Sequence, residues 1–185
     1  MPHQSLGELL DGVAARTAAP GGGSVAATTC ALAAALVEMT ASFAPDRLGA
    51  EGTRAAELRE QSLQLAEREL HAYAPVLEAL RLPPEDPRRE DRLRAARSSA
   101  ADSPLALARL GAELAELAAH ASHSGNPSLR GDAITAVLLA EAACGAAATL
   151  VRINLSGQPE DSRRYEAYEL GRRALSAREE VLRSG

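Results

Sequence analysis

The stretch from Thr17 to Pro45 constrains the fold most, because it offers a long segment without helix breakers behind a glycine-rich entry. Pro20 and three consecutive glycines lead into Ser24, and no glycine or proline follows before Pro45. Larger side chains recur along the segment at the three- and four-residue spacing of one helical face, namely Val25, Thr28 or Thr29, Leu32, Leu36, Met39 and Phe43. Alanines occupy the other faces, which allows neighbouring helices to approach closely. We therefore predict a buried central helix over residues 22–44.

The glycine-rich entry to this helix has two interpretations. The first amides of a helix lack intrahelical partners and lie at the positive end of its dipole, so they can hold an anion or a developing oxyanion. Gly21, Gly22, Gly23 and Ser24 are then candidate binding residues. In the other interpretation the glycines only form a tight turn that leads into a core helix. The segment lacks the lysine of a phosphate-binding P-loop.

Amino-acid usage places the chain in the all-α class. Its 185 residues include 41 alanines and 27 leucines but only nine valines and isoleucines together, and β-branched and aromatic residues are what a sheet needs. We predict a multi-helical bundle formed by one domain of residues 1–185. Two long alanine-rich helices, over about 22–44 and 132–155, are expected to be buried at its centre.

Charge, cysteine usage and hydropathy argue against several classes of protein. The net charge is −5 and there is no lysine, so we expect no nucleic-acid binding. Cys30 and Cys144 lie in alanine-rich segments and are interpreted as small buried thiols. The N-terminus shows no signal-peptide pattern. The apolar run from Val25 to Phe43 approaches membrane-spanning length, but Glu38 and several hydroxyl residues interrupt it. We expect a cytoplasmic protein without a membrane span.

The remaining elements follow from capping and breaker residues. Ser5 and Glu8 have capping-box spacing, and Pro75 should kink or divide the helix that contains it. The predicted helices cover residues 5–16, 51–80, 88–101 (exposed), 104–121, 132–155 and 160–183, with a break over 45–52, a turn over 82–87 and a polar loop over 122–131.

Glu116, His120 and His123 share one helical face, since they stand at i, i+4 and i+7. A metal site is one interpretation, but di-iron bundles need paired Glu-x-x-His motifs, and a polar face near a loop is the other. We expect no metal site and no bound cofactor.

Two segments carry a resemblance to a known family. Residues 8–39 read ELLDGVAARTAAPGGGSVAATTCALAAALVEM, and residues 124–155 read SGNPSLRGDAITAVLLAEAACGAAATLVRINL. Between them, HAYAPVLEALRLP and a Ser-Pro-Leu at 103–105 fall in the matching order. This arrangement resembles the cyclodeaminase/methenyltetrahydrofolate cyclohydrolase family. The chain departs from the family pattern at Glu69 (normally Asp), Pro84 (often Lys), Ser128 (Asn), Gly131 (Ser) and Leu150 (often Asn).

The resemblance implies an all-helical homodimer that binds a folate derivative in a groove near the subunit interface. The implied reactions are hydrolysis of 5,10-methenyltetrahydrofolate to 10-formyltetrahydrofolate and loss of ammonia from 5-formiminotetrahydrofolate. Neither needs a metal, because the methenyl carbon is already electrophilic. The alternatives are a catalytically degenerate member that keeps the dimer and the ligand groove, and a purely structural helical protein.

Two carboxylates are the candidate catalytic groups. Asp132 would be the base or would stabilise the substrate cation, although a helix N-cap is the other interpretation. Glu69 is the second carboxylate, or else part of a solvated face. If the two central helices pack with their N-termini together, Asp132 faces the glycine-rich entry; the second loop could instead come from the partner subunit.

The other candidate residues would bind substrate. Asn126 and Asn154 could orient it, or could serve only a turn and a helix end. Arg152 could pair with the glutamate tail of the folate, or form a surface salt bridge. Gly21, Gly22, Gly23 and Ser24 would receive the pterin or a carbonyl.

Overall fold

The computed structural model describes residues 5–183, which form eight α-helices, one 3₁₀ turn and no strand. This confirms the all-α prediction. The helices are α1 (Leu6–Ala14), α2 (Gly22–Ser42), α3 (Pro45–Ala72), α4 (Ala74–Leu80), α5 (Arg89–Ser99), α6 (Asp102–Ser124), α7 (Arg130–Asn154) and α8 (Ser162–Arg183), with the 3₁₀ turn at Pro127–Leu129.

Helices α2 and α7 lie at the centre of the bundle and run in opposite directions. Helix α2 packs against α3, α6 and α7, and α7 also packs against α6 and α8. Ala41, near the end of α2, shares a small apolar cluster with Ala133, at the start of α7. The N-terminus of α2 instead lies beside Leu150 and Asn154, at the end of α7. Within one chain the N-termini of α2 and α7 therefore do not meet, so Asp132 does not face the glycine-rich entry.

The alanine faces of α2 are the buried ones. Ala27, Ala33 and Ala34 are fully buried, whereas Leu32 is 56% exposed and Phe43 is 63% exposed. Helices that surround α2 this closely leave room only for small side chains. The stripe of larger side chains on this helix therefore lies at the surface of the single chain, although we had expected a helix buried on all sides.

Most predicted boundaries agree with the structure. Ser5 and Glu8 form the expected capping box, and the chain divides at Tyr73, just before Pro75, as predicted. The exposed α5 also agrees, since none of its residues is buried.

Two predicted interruptions are shorter than expected. Helix α3 already begins at Pro45 and only kinks at Leu48, because a proline is well suited to the first position of a helix. The loop expected over residues 122–131 is also reduced, since α6 continues to Ser124 and α7 begins at Arg130.

Helices α6 and α7 are in close contact at Gly111. A Cβ atom at this residue would lie 2.9 Å from the Cβ of Cys144 and 3.1 Å from its Cα. Burial raises the pKa of the Cys144 thiol to about 12 and that of Cys30 to about 11. Both cysteines are therefore protonated, buried core residues, which confirms their interpretation as structural thiols.

Two described helical segments, Gly22–Ser42 and Pro127–Asn154, are long and apolar enough to cross a membrane by length and composition. The share of each span that is buried inside the bundle is 56% for the first and 44% for the second. The core helices of soluble proteins meet the same criterion.

Candidate active site

A cleft of about 210 Å³ opens at the N-terminus of α2. The ends of α3 and α7 and the start of α6 form its walls. The cleft is lined by Ala18, Gly21, Gly22, Gly23, Ser24, Glu69, Ala72, Tyr73, Ala100, Pro104, Leu150, Ile153 and Asn154. Six residues selected from the sequence therefore share one cavity, namely the glycines at 21–23 with Ser24, Glu69 and Asn154.

The first turn of α2 has no side-chain cap. Gly21 is the N-cap residue, in an extended conformation (φ −126°, ψ −161°), and its carbonyl accepts a hydrogen bond from the Val25 N–H at 3.0 Å. Since α2 is 21 residues long, its dipole is fully developed, and the first amides are donors without intrahelical partners. This part of the cleft is suited to an anion or to a carbonyl oxygen.

Ser24 contributes its backbone to the cleft but not its hydroxyl group. The residue is fully buried, and its Oγ donates a hydrogen bond to the Ala66 carbonyl of α3 at 3.3 Å. This bond ties the start of α2 to α3. The hydroxyl is therefore already used in the fold.

Glu69 places a carboxylate directly against the start of α2. A Cβ atom at Gly23 would overlap the carboxylate carbon of Glu69 and one of its carboxylate oxygens. Only glycine at this position therefore allows the Glu69 side chain to lie so close to α2. The Glu69 Oε1 atom is buried and makes no hydrogen bond within the described residues. A buried carboxylate oxygen without a partner is uncommon, which makes Glu69 a candidate for contact with a ligand.

The opposite wall combines one amide with apolar surface. The Asn154 Nδ2 donates to the Ala100 carbonyl at 2.8 Å, so this side chain joins the end of α7 to the end of α5. Ile153 on this wall is 59% exposed, and Tyr73, which lies on the Glu69 side of the cleft, is 44% exposed. Such a wall can accept a flat, partly apolar ligand. The sequence analysis did not select Tyr73, although its i, i+4 spacing from Glu69 places both on one face of the helical segment.

Asp132 and Asn126 lie at the far end of the bundle from this cleft. Asp132 is the third residue of α7, whose N-cap is Leu129, so its interpretation as the N-cap is wrong. Asn126 accepts a hydrogen bond from the Ser128 N–H at 3.0 Å, as expected for a turn. Helix α2 separates these residues from the cleft by about 30 Å.

Arg152 lies in a different groove, between α7 and α8. This groove has a volume of about 260 Å³ and is also lined by Gly145, Tyr168 and Leu175. The Arg152 Nη2 contacts the Thr149 Oγ1 at 3.3 Å. Within one chain the arginine is therefore separate from the cleft.

The side chains of the Glu-His-His cluster do not point at a common centre. Each of the three, Glu116, His120 and His123, contacts a different partner. The Glu116 carboxylate binds Arg173, the His120 Nε2 lies 3.4 Å from Glu51, and the His123 Nε2 lies 3.4 Å from Glu180. Over residues 5–183, no group of three or more His, Cys, Asp or Glu side chains is arranged to hold a metal ion. The polar-face interpretation describes this cluster, and the metal-free expectation stays a prediction.

The fold and the cleft together define an all-helical protein with a carboxylate at an uncapped helix N-terminus. Comparisons with known proteins narrow this class. A family model described as formiminotransferase-cyclodeaminase matches residues 5–170. The formimidoyltransferase-cyclodeaminase of Mus musculus is 32% identical over 170 residues, which cover 85% of this chain and 31% of the mouse protein.

Two further relatives match most of their own length. The methenyltetrahydrofolate cyclohydrolase of Methylorubrum extorquens is 30% identical over 168 residues, covering 84% of this chain and 81% of the relative. The crystal structure of formiminotetrahydrofolate cyclodeaminase from Thermotoga maritima superposes with a TM-score of 0.86 at 27% identity, covering 98% and 96% of the two chains. The chain belongs to the formiminotransferase-cyclodeaminase family, which confirms the resemblance seen in the sequence. It spans about a third of the length of the mouse relative.

Proposed function

We propose that this protein is a folate one-carbon enzyme. It hydrolyses 5,10-methenyltetrahydrofolate to 10-formyltetrahydrofolate, deaminates 5-formiminotetrahydrofolate to the methenyl compound, or does both. It works in the cytoplasm as a homodimer, without a metal or another cofactor. The names of the bacterial and mammalian relatives support the substrate class, and the chemistry of the cleft fits the same substrates.

The Glu69 carboxylate at the α2 N-terminus is the observation that carries this proposal. The methenyl carbon belongs to a cationic amidinium between two nitrogen atoms, so a nearby carboxylate attracts it. Glu69 takes a proton from the attacking water as the water oxygen bonds to the methenyl carbon. It returns that proton to N5 as the bond between the carbon and N5 breaks, and the hydroxyl proton leaves to solvent.

The first amides of α2 supply the second requirement of this reaction. Oxygen gains negative charge as the tetrahedral carbon forms and collapses, and preorganised backbone donors stabilise such charge. Ammonia loss from the formimino compound passes through a tetrahedral carbon between two nitrogens as well. In that reaction N10 attacks the formimino carbon and gives its proton to Glu69, and Glu69 returns the proton to the amino group, which leaves as ammonia as its bond to the carbon breaks. The same carboxylate thus serves both reactions.

A two-fold dimer would bring Asp132 to this cleft. Exposed apolar side chains lie on both of these neighbouring helices, namely Leu32 on α2 and Phe43 at its end, and Leu138 and Ile153 on α7. In the proposed dimer they form the contact face. A two-fold axis perpendicular to the helices reverses their ends. The N-terminus of α7 in the partner subunit then lies beside the N-terminus of α2, with Asp132 as a second carboxylate.

Replacing Glu69 by Gln tests the central step. We expect Glu69→Gln to reduce the turnover of methenyltetrahydrofolate about a hundredfold or more, the usual contribution of a general base. The reaction is followed by the loss of the near-ultraviolet absorbance of the substrate. Glu67→Gln, an exposed position on the same helix, is the matched control and should be close to wild type.

Three results would contradict the proposal. Near-normal turnover in a folded Glu69→Gln protein would remove Glu69 from the mechanism. Wild-type protein that binds the folate without turnover would be a degenerate family member, and protein that does neither would be structural.

A further inference from the structure

A second cavity adjoins the cleft on the other side of α3. It has a volume of about 550 Å³ and lies in the groove between α3 and α6. Ala72 lines both cavities, and Ser99 and Ser103 of the groove are chain neighbours of Ala100 and Pro104 of the cleft. A ligand that fills the cleft therefore needs to pass only the end of α3 to enter this groove.

The groove carries one guanidinium, that of Arg68, and one imidazole, that of His71, which the fold does not use. Arg68 and His71 both line it and are exposed. No hydrogen bond or ion pair joins either side chain to another residue within 5–183. The carboxylate that lines the same groove, Asp102, does not pair with Arg68 or His71; it accepts a hydrogen bond at 2.6 Å from the Arg163 Nη1, and Arg163 also binds Asp161.

Ser103 supplies an independent sign of a missing ligand. It lies in the first turn of α6, its Oγ atom is buried, and this atom has no hydrogen-bond partner among the described residues. Buried hydroxyl groups in folded proteins nearly always have a partner. The groove thus combines an unpaired guanidinium, an imidazole and an unsatisfied hydroxyl, all of which can donate to a carboxylate.

We propose that the α3–α6 groove binds the carboxylates of the glutamate tail of the folate. This rests on the proposed function, which places the reacting end of the same molecule beside Glu69. Glu69 and Arg68 are consecutive on α3 and line the two cavities, so one helix orients both ends of the substrate. Arg68 takes the role that the sequence analysis gave to Arg152, which lies in a separate groove.

The test compares folates with and without the tail. For methenyltetrahydrofolate, Arg68→Gln raises KM about tenfold and leaves kcat unchanged, since it removes a charged hydrogen bond remote from the reacting carbon. Arg68→Lys, which keeps the charge but not the planar fork, recovers part of the loss. For methenyltetrahydropteroate, which has no glutamate, Arg68→Gln has the same KM as wild type.

Arg94→Gln is the matched control. Arg94 is 55% exposed and contacts only Glu90 and Asp91 of its own helix, at 3.7 Å. The KM of this variant stays at the wild-type value. An unchanged KM in Arg68→Gln with the full substrate would overturn the inference, as would an equal rise with the tail-free analogue. Both results can be measured only if the wild-type protein turns over methenyltetrahydrofolate. Absence of that turnover would instead overturn the proposed function.

Discussion

Gly23 determines whether the Glu69 carboxylate can reach the start of α2. The side chain of Glu69 occupies the volume that a Cβ atom at Gly23 would need. The φ angle of Gly23 is negative, as at every described glycine, so backbone strain does not require glycine at this position. Glycine is required at this position because any larger residue would take the space of the Glu69 carboxylate.

Gly23→Ala should therefore separate the carboxylate from the helix end. The added methyl group displaces Glu69, and we expect turnover to fall at least tenfold while the protein stays folded, since a small misplacement of a catalytic group can cost about a hundredfold. Circular dichroism and the methenyltetrahydrofolate assay measure the two quantities. Gly171→Ala, where a Cβ atom would meet nothing within 4 Å, is the control. Wild-type turnover in Gly23→Ala would show that this close approach is unimportant.

The sequence indicates which residues have suitable chemistry, but not which of them meet. Glu69 could be selected through its place in the family pattern. Asp132 and Arg152 were selected on the same grounds, yet they lie outside the cleft within one chain. The antiparallel packing of α2 and α7 places Asp132 at the far end of the bundle. Arg152 lies at the cleft end of α7 but lines the groove towards α8, and no local sequence pattern encodes either arrangement. Arg68 carries no motif, and only its position in the α3–α6 groove draws attention to it.

At the scale of helices, capping and breaker residues predicted most elements correctly. The capping box at Ser5 and the division near Pro75 are local features, so the sequence is sufficient for them. The identity of the buried face of α2 depends on how closely its neighbours approach. Periodicity indicates a face but does not show whether large or small side chains point inward, and here the small ones do.

The crossing of α6 and α7 at Gly111 provides a test of this close packing. Gly111→Ala forces a methyl group within 2.9 Å of the Cys144 side chain, and such overpacking typically costs about 1–3 kcal/mol of unfolding free energy. Urea denaturation followed by circular dichroism measures the loss. Gly49→Ala, in open space on α3, should instead be neutral or stabilising by up to about 1 kcal/mol. Equal midpoints for the two variants would mean that α6 and α7 can separate freely.

For the whole molecule, the exposed apolar face of α2 and α7 raises the question of what covers it. Leu32 and Ile153 are both more than half exposed, at 56% and 59%, and large contiguous apolar surface commonly marks an interface. In the proposed dimer, a second copy placed by a two-fold axis would cover this face. It also accounts for Asp132, which has no contact with the cleft of its own chain.

A shared site of this kind predicts complementation between two inactive variants. Glu69→Gln and Asp132→Asn proteins are each expected to be inactive. In a mixed dimer, one cleft combines the intact Glu69 of one subunit with the intact Asp132 of the other, while the second cleft has lost both carboxylates. Random pairing makes half of the dimers mixed, so about a quarter of the wild-type activity should return.

Co-expression of the two chains, or their joint refolding, followed by the absorbance assay measures this recovery. Each variant treated alone in the same way is the control. Near-normal turnover by Asp132→Asn alone would place Asp132 outside the active site and leave Glu69 as its carboxylate, and two inactive variants that do not complement would rule out a cleft shared between subunits.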